Sequence, residues 1–170
     1  MTEASSDNLE FRKPTADVGY LLNRLVAASP PLEPNSIYCN LLQCSHFADT
    51  AVAVFDGEDL VGFVSGYLEP NQPDTLFVWQ VVIAEAARGK GLAKRMLREL
   101  LAREACSEVR YIETTITPDN DASWGLFRSL ARELNTELNS KVHFERAVHF
   151  GGEHDDEHLL VIGPFQTDRA

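Results

Sequence analysis

The sequence predicts a mixed α/β sandwich, on three observations. Strand-like and helix-like runs follow one another in the order β-α-α-β-β-β-α-β-α-β-β. A hairpin signal, Asp56-Gly57-Glu58-Asp59, stands where a doubly wound sheet would need a crossover helix. The run from Leu76 to Ile83 is almost wholly apolar, as suits a central strand covered on both faces.

Each element has its own signal. Leu9-Glu10-Phe11-Arg12 alternates like a short strand. Thr15 or Asp17 can cap a helix with Leu21, Leu22, Leu25 and Val26 on one face, ended by Ser29-Pro30-Pro31. A second, shorter helix runs from Asn35 or Ser36 to about Cys44, with Ile37, Leu41 and Leu42 as its apolar side. Ala51 to Phe55 and Leu60 to Leu68 are β-rich runs joined by the hairpin. Past the central strand comes Arg88-Gly89-Lys90-Gly91, then a helix with Leu92, Met96, Leu97, Leu100 and Leu101 at helical spacing. Tyr111 to Thr115 is a further strand. Asn120 or Asp121 can cap a helix that turns Leu126, Phe127, Leu130 and Leu134 inward. Val142 to Phe144 and Leu159 to Ile162 are the last strand candidates.

Composition narrows the function. A length of 170 residues fits a single domain, expected over residues 9–165 between short tails at 1–8 and 166–170. No apolar run approaches the roughly 20 residues that span a bilayer. The polar, acidic first eight residues lack the pattern of an export signal, so a cytoplasmic protein is expected. Cys39, Cys44 and Cys106 are an odd number without framework spacing, which favours reduced thiols. A net charge of −11 repels phosphate backbones and anionic lipid, so neither nucleic acid nor membrane is an expected partner. Against that background Arg88, Lys90, Lys94, Arg95, Arg98 and Arg103 form a basic island, which suggests a local anion site.

The glycine turn lies inside that island. A helix N-terminus exposes unpaired N–H donors and the positive end of the backbone dipole, and Gly89 and Gly91 let an anion approach them. The spacing is not that of a nucleotide P-loop, and Lys94 stands where a dinucleotide fingerprint needs a third glycine. Taken alone, a Gly-x-Gly is more often a plain strand-to-helix turn.

The stretch from Val81 to Ala93 resembles the acetyl-CoA signature of the GNAT superfamily of N-acetyltransferases, with Arg88, Gly91 and Ala93 at its three defining positions. The resemblance implies a largely antiparallel sheet of about six or seven strands with helices on both faces. It implies acetyl-CoA as co-substrate, its pyrophosphate on the amides of Gly89, Lys90, Gly91, Leu92 and Ala93, and its pantetheine along the backbone of Val81 and Ile83. Asn120 and Ser123 match positions that commonly touch the cofactor. Many members carry a tyrosine as acid in the later helix, and Phe127 stands at that place here.

Five further segments extend the likeness: Asn35-Ser36-Ile37-Tyr38, His46-Phe47-Ala48-Asp49-Thr50, Phe77-Val78-Trp79-Gln80-Val81, Glu113-Thr114-Thr115-Ile116-Thr117-Pro118 and His154-Asp155-Asp156-Glu157. With them residues 9–165 resemble the diaminobutyrate acetyltransferases of ectoine biosynthesis, which acetylate the 4-amine of L-2,4-diaminobutyrate and usually work as homodimers. By that likeness Tyr38 is the candidate proton donor, Glu33, His154, Glu157 and Asp155 reach the diamine, and Trp79 walls its pocket. The alternatives are another small diamine or amino acid as acceptor, or a non-catalytic acyl-CoA-binding protein. On residue type alone, Tyr38 and Trp79 read as packing residues and Glu33 as a solvated loop acid.

His154 to His158 also spells His-x-x-Glu-His, used by one class of zinc peptidases. Zinc needs both imidazoles on one helical face and a third ligand, whereas Gly151-Gly152 and the β-rich run from Leu159 flank this cluster. No metal is expected, and an acidic loop before an edge strand is the bland alternative.

Overall fold

The computed structural model describes residues 8–166. The expected tails therefore lie outside the described residues, except for Asn8 and Gln166. Seven strands form one sheet: β1 (Leu9–Arg12), β2 (Ala51–Asp56), β3 (Asp59–Glu69), β4 (Gln72–Ile83), β5 (Tyr111–Ile116), β6 (Leu138–Phe144) and β7 (Glu157–Ile162), in the order β1-β2-β3-β4-β5-β7-β6. Four α-helices accompany them: α1 (Gly19–Ala27), α2 (Ile37–Cys44), α3 (Leu92–Leu101) and α4 (Asp121–Glu133). β4 and β5 pair in parallel, with Thr75–Phe77 against Tyr111–Glu113, and α3 supplies the crossover that a parallel pair requires. The pairs β1 with β2, β2 with β3, β5 with β7 and β6 with β7 are antiparallel. The expected mixed, largely antiparallel sheet is thus found.

The described residues fall into two compact units, one holding 8–67 with 79–107, the other 68–78 with 108–166. In the first, Ala53 faces Phe63 across β2 and β3, and both join Leu22 and Val26 of α1, Cys44 of α2 and Val82 of β4 in one buried cluster. Gly62, one residue from Phe63 and so on the opposite face, touches Leu92 and Met96 of α3. Helices therefore cover both faces of β2 and β3. Gly19 sets the approach of α2 to α1, since a Cβ there would stand 2.7 Å from the Leu41 side chain.

In the second unit the inward row is Ile112, Thr114 and Ile116 of β5 with Leu160 and Ile162 of β7, joined in the core by Phe127, Leu130 and Ala131 of α4. Thr114 secures β5 to β4 through its hydroxyl, which donates to the Val78 carbonyl at 3.0 Å. β6 is exposed along nearly its whole length.

Several local expectations need correcting. Neither Thr15 nor Asp17 caps α1, because a 3-10 turn over Ala16–Val18 leads into it without a side-chain cap. Leu21 lies exposed, while Leu22 and Val26 carry the buried stripe. On α2 the expected apolar side is not the buried one: Ile37 is exposed, Leu41 and Leu42 are half-buried, and Asn40, Gln43 and Cys44 face inward. β4 and β6 begin four residues earlier than their apolar runs suggest.

Candidate active site

The glycine turn sits between the end of β4 and α3, in the first unit. Glu85–Ala87 form a 3-10 turn, and α3 then starts at Leu92 with Gly91 as its N-cap. Gly89 and Gly91 have φ of 78° and 71°, and a Cβ on either would meet nothing within 4 Å. Backbone conformation, not crowding, requires glycine there, and the outer side of the turn is open. The first bond into the helix runs from the Arg95 amide to the Gly91 carbonyl at 3.1 Å, so the amides of Leu92 and Ala93 point out of the helix start.

Arg88 has a bracing role as well. Its Nε–H donates to the Ile83 carbonyl at 3.1 Å, tying the turn to the end of the strand. Arg95, also of the basic island, lies over the Phe11 ring at 4.7 Å. A small cleft of about 100 Å³ beside the turn is lined in part by Asp56, Lys90, Leu92 and Arg95.

Tyr38 and Trp79 belong to the same unit. Ser36 caps α2 by accepting from the Cys39 amide at 3.0 Å, which places Tyr38 in the first turn. Tyr38 is 71% exposed, which removes the packing explanation and leaves its hydroxyl accessible. Trp79 is 37% exposed and packs edge-on against Phe47 at 5.7 Å and Tyr67 at 6.0 Å. This three-ring cluster around Trp79 is an arrangement that the sequence left unassembled. Its signal is Tyr67, in step with Phe63 and Ser65 along β3. Glu33 lies exposed in the loop before α2.

Asn120, Ser123, His154 and Glu157 lie in the second unit. Asn120 is the N-cap of α4 and accepts from the Ser123 amide at 3.2 Å, so one side of its carboxamide is engaged in the cap. Phe127 is only 2% exposed, a core residue with no proton to give. His154 Nε2 stands 3.6 Å from Glu157 Oε2, and its Nδ1 is 2.7 Å from the Asp155 carbonyl. Asp155 pairs with Arg146 at 3.0 Å, and Asp156 accepts from the Arg146 amide at 2.6 Å. A cleft of about 380 Å³ lined by Pro118, Asp119, Arg146, Asp155 and Asp156 brings the end of the β5 segment beside this acidic loop. His154 precedes β7 in a loop rather than on a helix, and among the described residues no group of three or more His, Cys, Asp or Glu is gathered around a metal-sized point.

Glu113 of β5 is an acid pushed strongly upward, to about 7, by burial first and then by the hydrogen bond and charge of Glu69. It pairs with Val161, whereas Ile116 pairs with His158 at the end nearer Glu157. Three residues of strand, about 10 Å, therefore separate it from the histidine-acid loop.

Residues 20–131 match the acetyltransferase (GNAT) family model. The chain belongs to the GNAT acetyltransferase family. Within that family it is 55% identical over 162 residues to an L-2,4-diaminobutyric acid acetyltransferase of Methylotuvimicrobium alcaliphilum, covering 95% of this chain and 94% of that one. It is 51% identical to the enzyme of the same name from Halomonas elongata, covering 95% and 84%. A solved GNAT structure, the diaminobutyrate acetyltransferase of Paenibacillus lautus in complex with its substrate L-2,4-diaminobutyric acid and coenzyme A, superposes with a TM-score of 0.88 at 39% identity, over 95% of this chain and 98% of that one. The Escherichia coli ribosomal-protein-S18-alanine N-acetyltransferase, at 11% identity and a TM-score of 0.67 over 93% and 95%, shares the fold.

Proposed function

We propose that this GNAT enzyme transfers the acetyl group of acetyl-CoA to the 4-amine of L-2,4-diaminobutyrate, giving N4-acetyl-L-2,4-diaminobutyrate for ectoine biosynthesis. The observation that carries the substrate is the near full-length likeness to diaminobutyrate acetyltransferases at 55% and 51% identity. The Paenibacillus lautus enzyme, similar over 95% of this chain, holds that diamine and coenzyme A.

The chemistry needs a neutral amine, because an ammonium has no lone pair. Its nitrogen attacks the thioester carbonyl and forms a tetrahedral oxyanion. The C–S bond then breaks as the nitrogen gives up one proton and the departing thiolate takes one up, so the neutral amine and thioester become amide and thiol with no net proton released. The amides of Gly89 to Ala93 hold the pyrophosphate, supported by the two left-handed glycines and the helix dipole. Arg88 braces that turn, and Lys90 adds charge. Pantetheine runs along the backbone of Val81 and Ile83; because the Ile83 carbonyl already accepts from Arg88, the Val81 groups and the Ile83 amide are the better partners. A backbone N–H near Val81 or Val82 meets the oxyanion. Asn120 and Ser123 contact the cofactor from the start of α4.

Tyr38 delivers the proton to the thiolate, a role that its exposure supports and that Phe127 cannot fill. Trp79 walls the diamine, while Glu33, His154 and Glu157 orient and neutralise its charge. Asp155, engaged by Arg146, acts through the shape of the loop.

Among the described residues no helix is long and apolar enough to cross a membrane. Three free cysteines support a reducing compartment, the cytoplasm. Working as a homodimer belongs to the same proposal, supported by Val142, Phe144 and Val148 exposed on and just beyond the edge strand β6.

The test is steady-state thiol release with diaminobutyrate, ornithine, lysine and a peptide as acceptors. Diaminobutyrate is expected to lead in kcat/KM; a peptide or another diamine ahead of it by a wide margin removes the substrate assignment. Tight coenzyme binding without turnover on any amine points to an acyl-CoA-binding protein instead.

A further inference from the structure

Four side-chain amides form a chain through the interior of the first unit. Asn23 of α1 donates from Nδ2 to the Asn35 carbonyl at 3.1 Å and to Asn40 Oδ1 at 3.0 Å. Asn40 then donates to Gln43 Oε1 at 2.8 Å, and Gln43 donates to Gln80 Oε1 at 3.3 Å. Asn40 and Gln43 are fully buried. The direction of the chain is unambiguous: a backbone carbonyl only accepts, so Asn35 fixes the orientation of Asn23, and each amide fixes the next.

Apolar residues at 40 and 43 would fill the same space without needing partners. A satisfied buried polar network instead accepts one relative placement of the elements it joins, because a shifted register leaves its groups unpaired. The elements joined here are α1, the entry and body of α2, and β4. Tyr38 stands in the first turn of α2 between the two tethers, at Asn35 and Asn40, and Gln80 stands between Trp79 and Val81.

We propose that Asn23, Asn40, Gln43 and Gln80 are positioning residues that hold α2 in a single register on β4 and thereby place the Tyr38 hydroxyl for proton delivery. The proposal rests on the role given to Tyr38 above. None of the four touches the reacting atoms; they act through Tyr38.

The experiment is a double-mutant cycle on kcat with Gln43→Met, Tyr38→Phe and the double variant, alongside calorimetry with coenzyme A. Gln43→Met keeps the volume near that of the native side chain and removes both bonds at the centre of the chain. It is expected to lower kcat by about tenfold or more, as a small misplacement of a reacting group does. Coenzyme affinity and the KM for acetyl-CoA stay unchanged. The double variant turns over no more slowly than Tyr38→Phe alone. Losses that multiply, or native turnover in Gln43→Met, overturn the positioning role while leaving Tyr38 in the mechanism. Native turnover in Tyr38→Phe overturns the Tyr38 assignment, and the positioning role with it, and shows in that single variant. If Gln43→Met does not fold, Asn23→Ala at the half-buried end of the chain enters the same cycle with the same outcomes.

Discussion

Glu113 and Glu69 meet carboxyl to carboxyl in the second unit. Burial, then the hydrogen bond and charge of Glu69, push Glu113 from the ordinary 4.5 up to about 7, against the opposing charge of Lys141. The folded chain therefore holds a proton that the unfolded chain releases near 4.5. The stability from this pair is fully present below that value and is lost as pH rises through about 7. The group is partly solvated, which leaves an effect on the order of 1 kcal/mol, or about 2–4 °C in melting temperature. Melting curves between pH 5 and pH 8 are expected to show this loss in the native protein and not in Glu113→Gln. An equal slope in both removes the shared proton.

Tyr38→Phe deletes one exposed hydroxyl and no packing. Turnover is expected to fall more than about tenfold, since a positioned proton donor contributes about 10²-fold or more, with acetyl-CoA affinity nearly intact. Stopped-flow thiol release and calorimetry check the two halves separately. Unchanged turnover takes Tyr38 out of the mechanism.

Gly91→Ala places a Cβ on a residue with φ of 71° at the start of α3. The left-handed conformation costs a non-glycine residue about 1–2 kcal/mol, and relaxation of the turn re-aims the amides proposed to hold the pyrophosphate. Coenzyme A affinity measured by calorimetry is expected to drop roughly tenfold or more, with helical content by circular dichroism retained. Native affinity in this variant argues against the turn as the anion site.

The cysteines make a sharper contrast than their spacing does. Burial pushes the Cys44 thiol up to about 12 and the Cys106 thiol up to about 11, and both are fully buried. Cys39 is half-buried, and burial raises it as well. In the native protein at pH 8 an aromatic disulfide reagent is expected to titrate Cys39 at most, slowly, and all three thiols only after denaturation. Fast native reaction of two or three thiols contradicts the burial described.

Much of the sheet was legible in the sequence because its strands are apolar or alternating and its turns carry glycine, as at Asp56-Gly57-Glu58-Asp59. The first residues of β4 escaped because Gln72-Pro73-Asp74 has the chemistry of a turn yet belongs to the strand. The inward face of α2 was misread for a specific reason: periodicity assigns apolar residues inward, and here Asn40 and Gln43 are buried because they satisfy one another. The glycine turn was legible in its place between β4 and α3, whereas the left-handed backbone of Gly89 and Gly91 came only with the structure. The aromatic cluster of Phe47, Tyr67 and Trp79 was not, because its rings come from three separate segments and only the tertiary structure brings them together.

The decisive measurement is the position of the acetyl group in the product. Incubation of the enzyme with acetyl-CoA and L-2,4-diaminobutyrate, followed by two-dimensional NMR, is expected to show a new acetamide correlated to the C4 methylene protons while the C2 proton keeps the shift of a free α-amine. An acetamide correlated to C2, or diaminobutyrate recovered unchanged beside intact acetyl-CoA, contradicts the assignment.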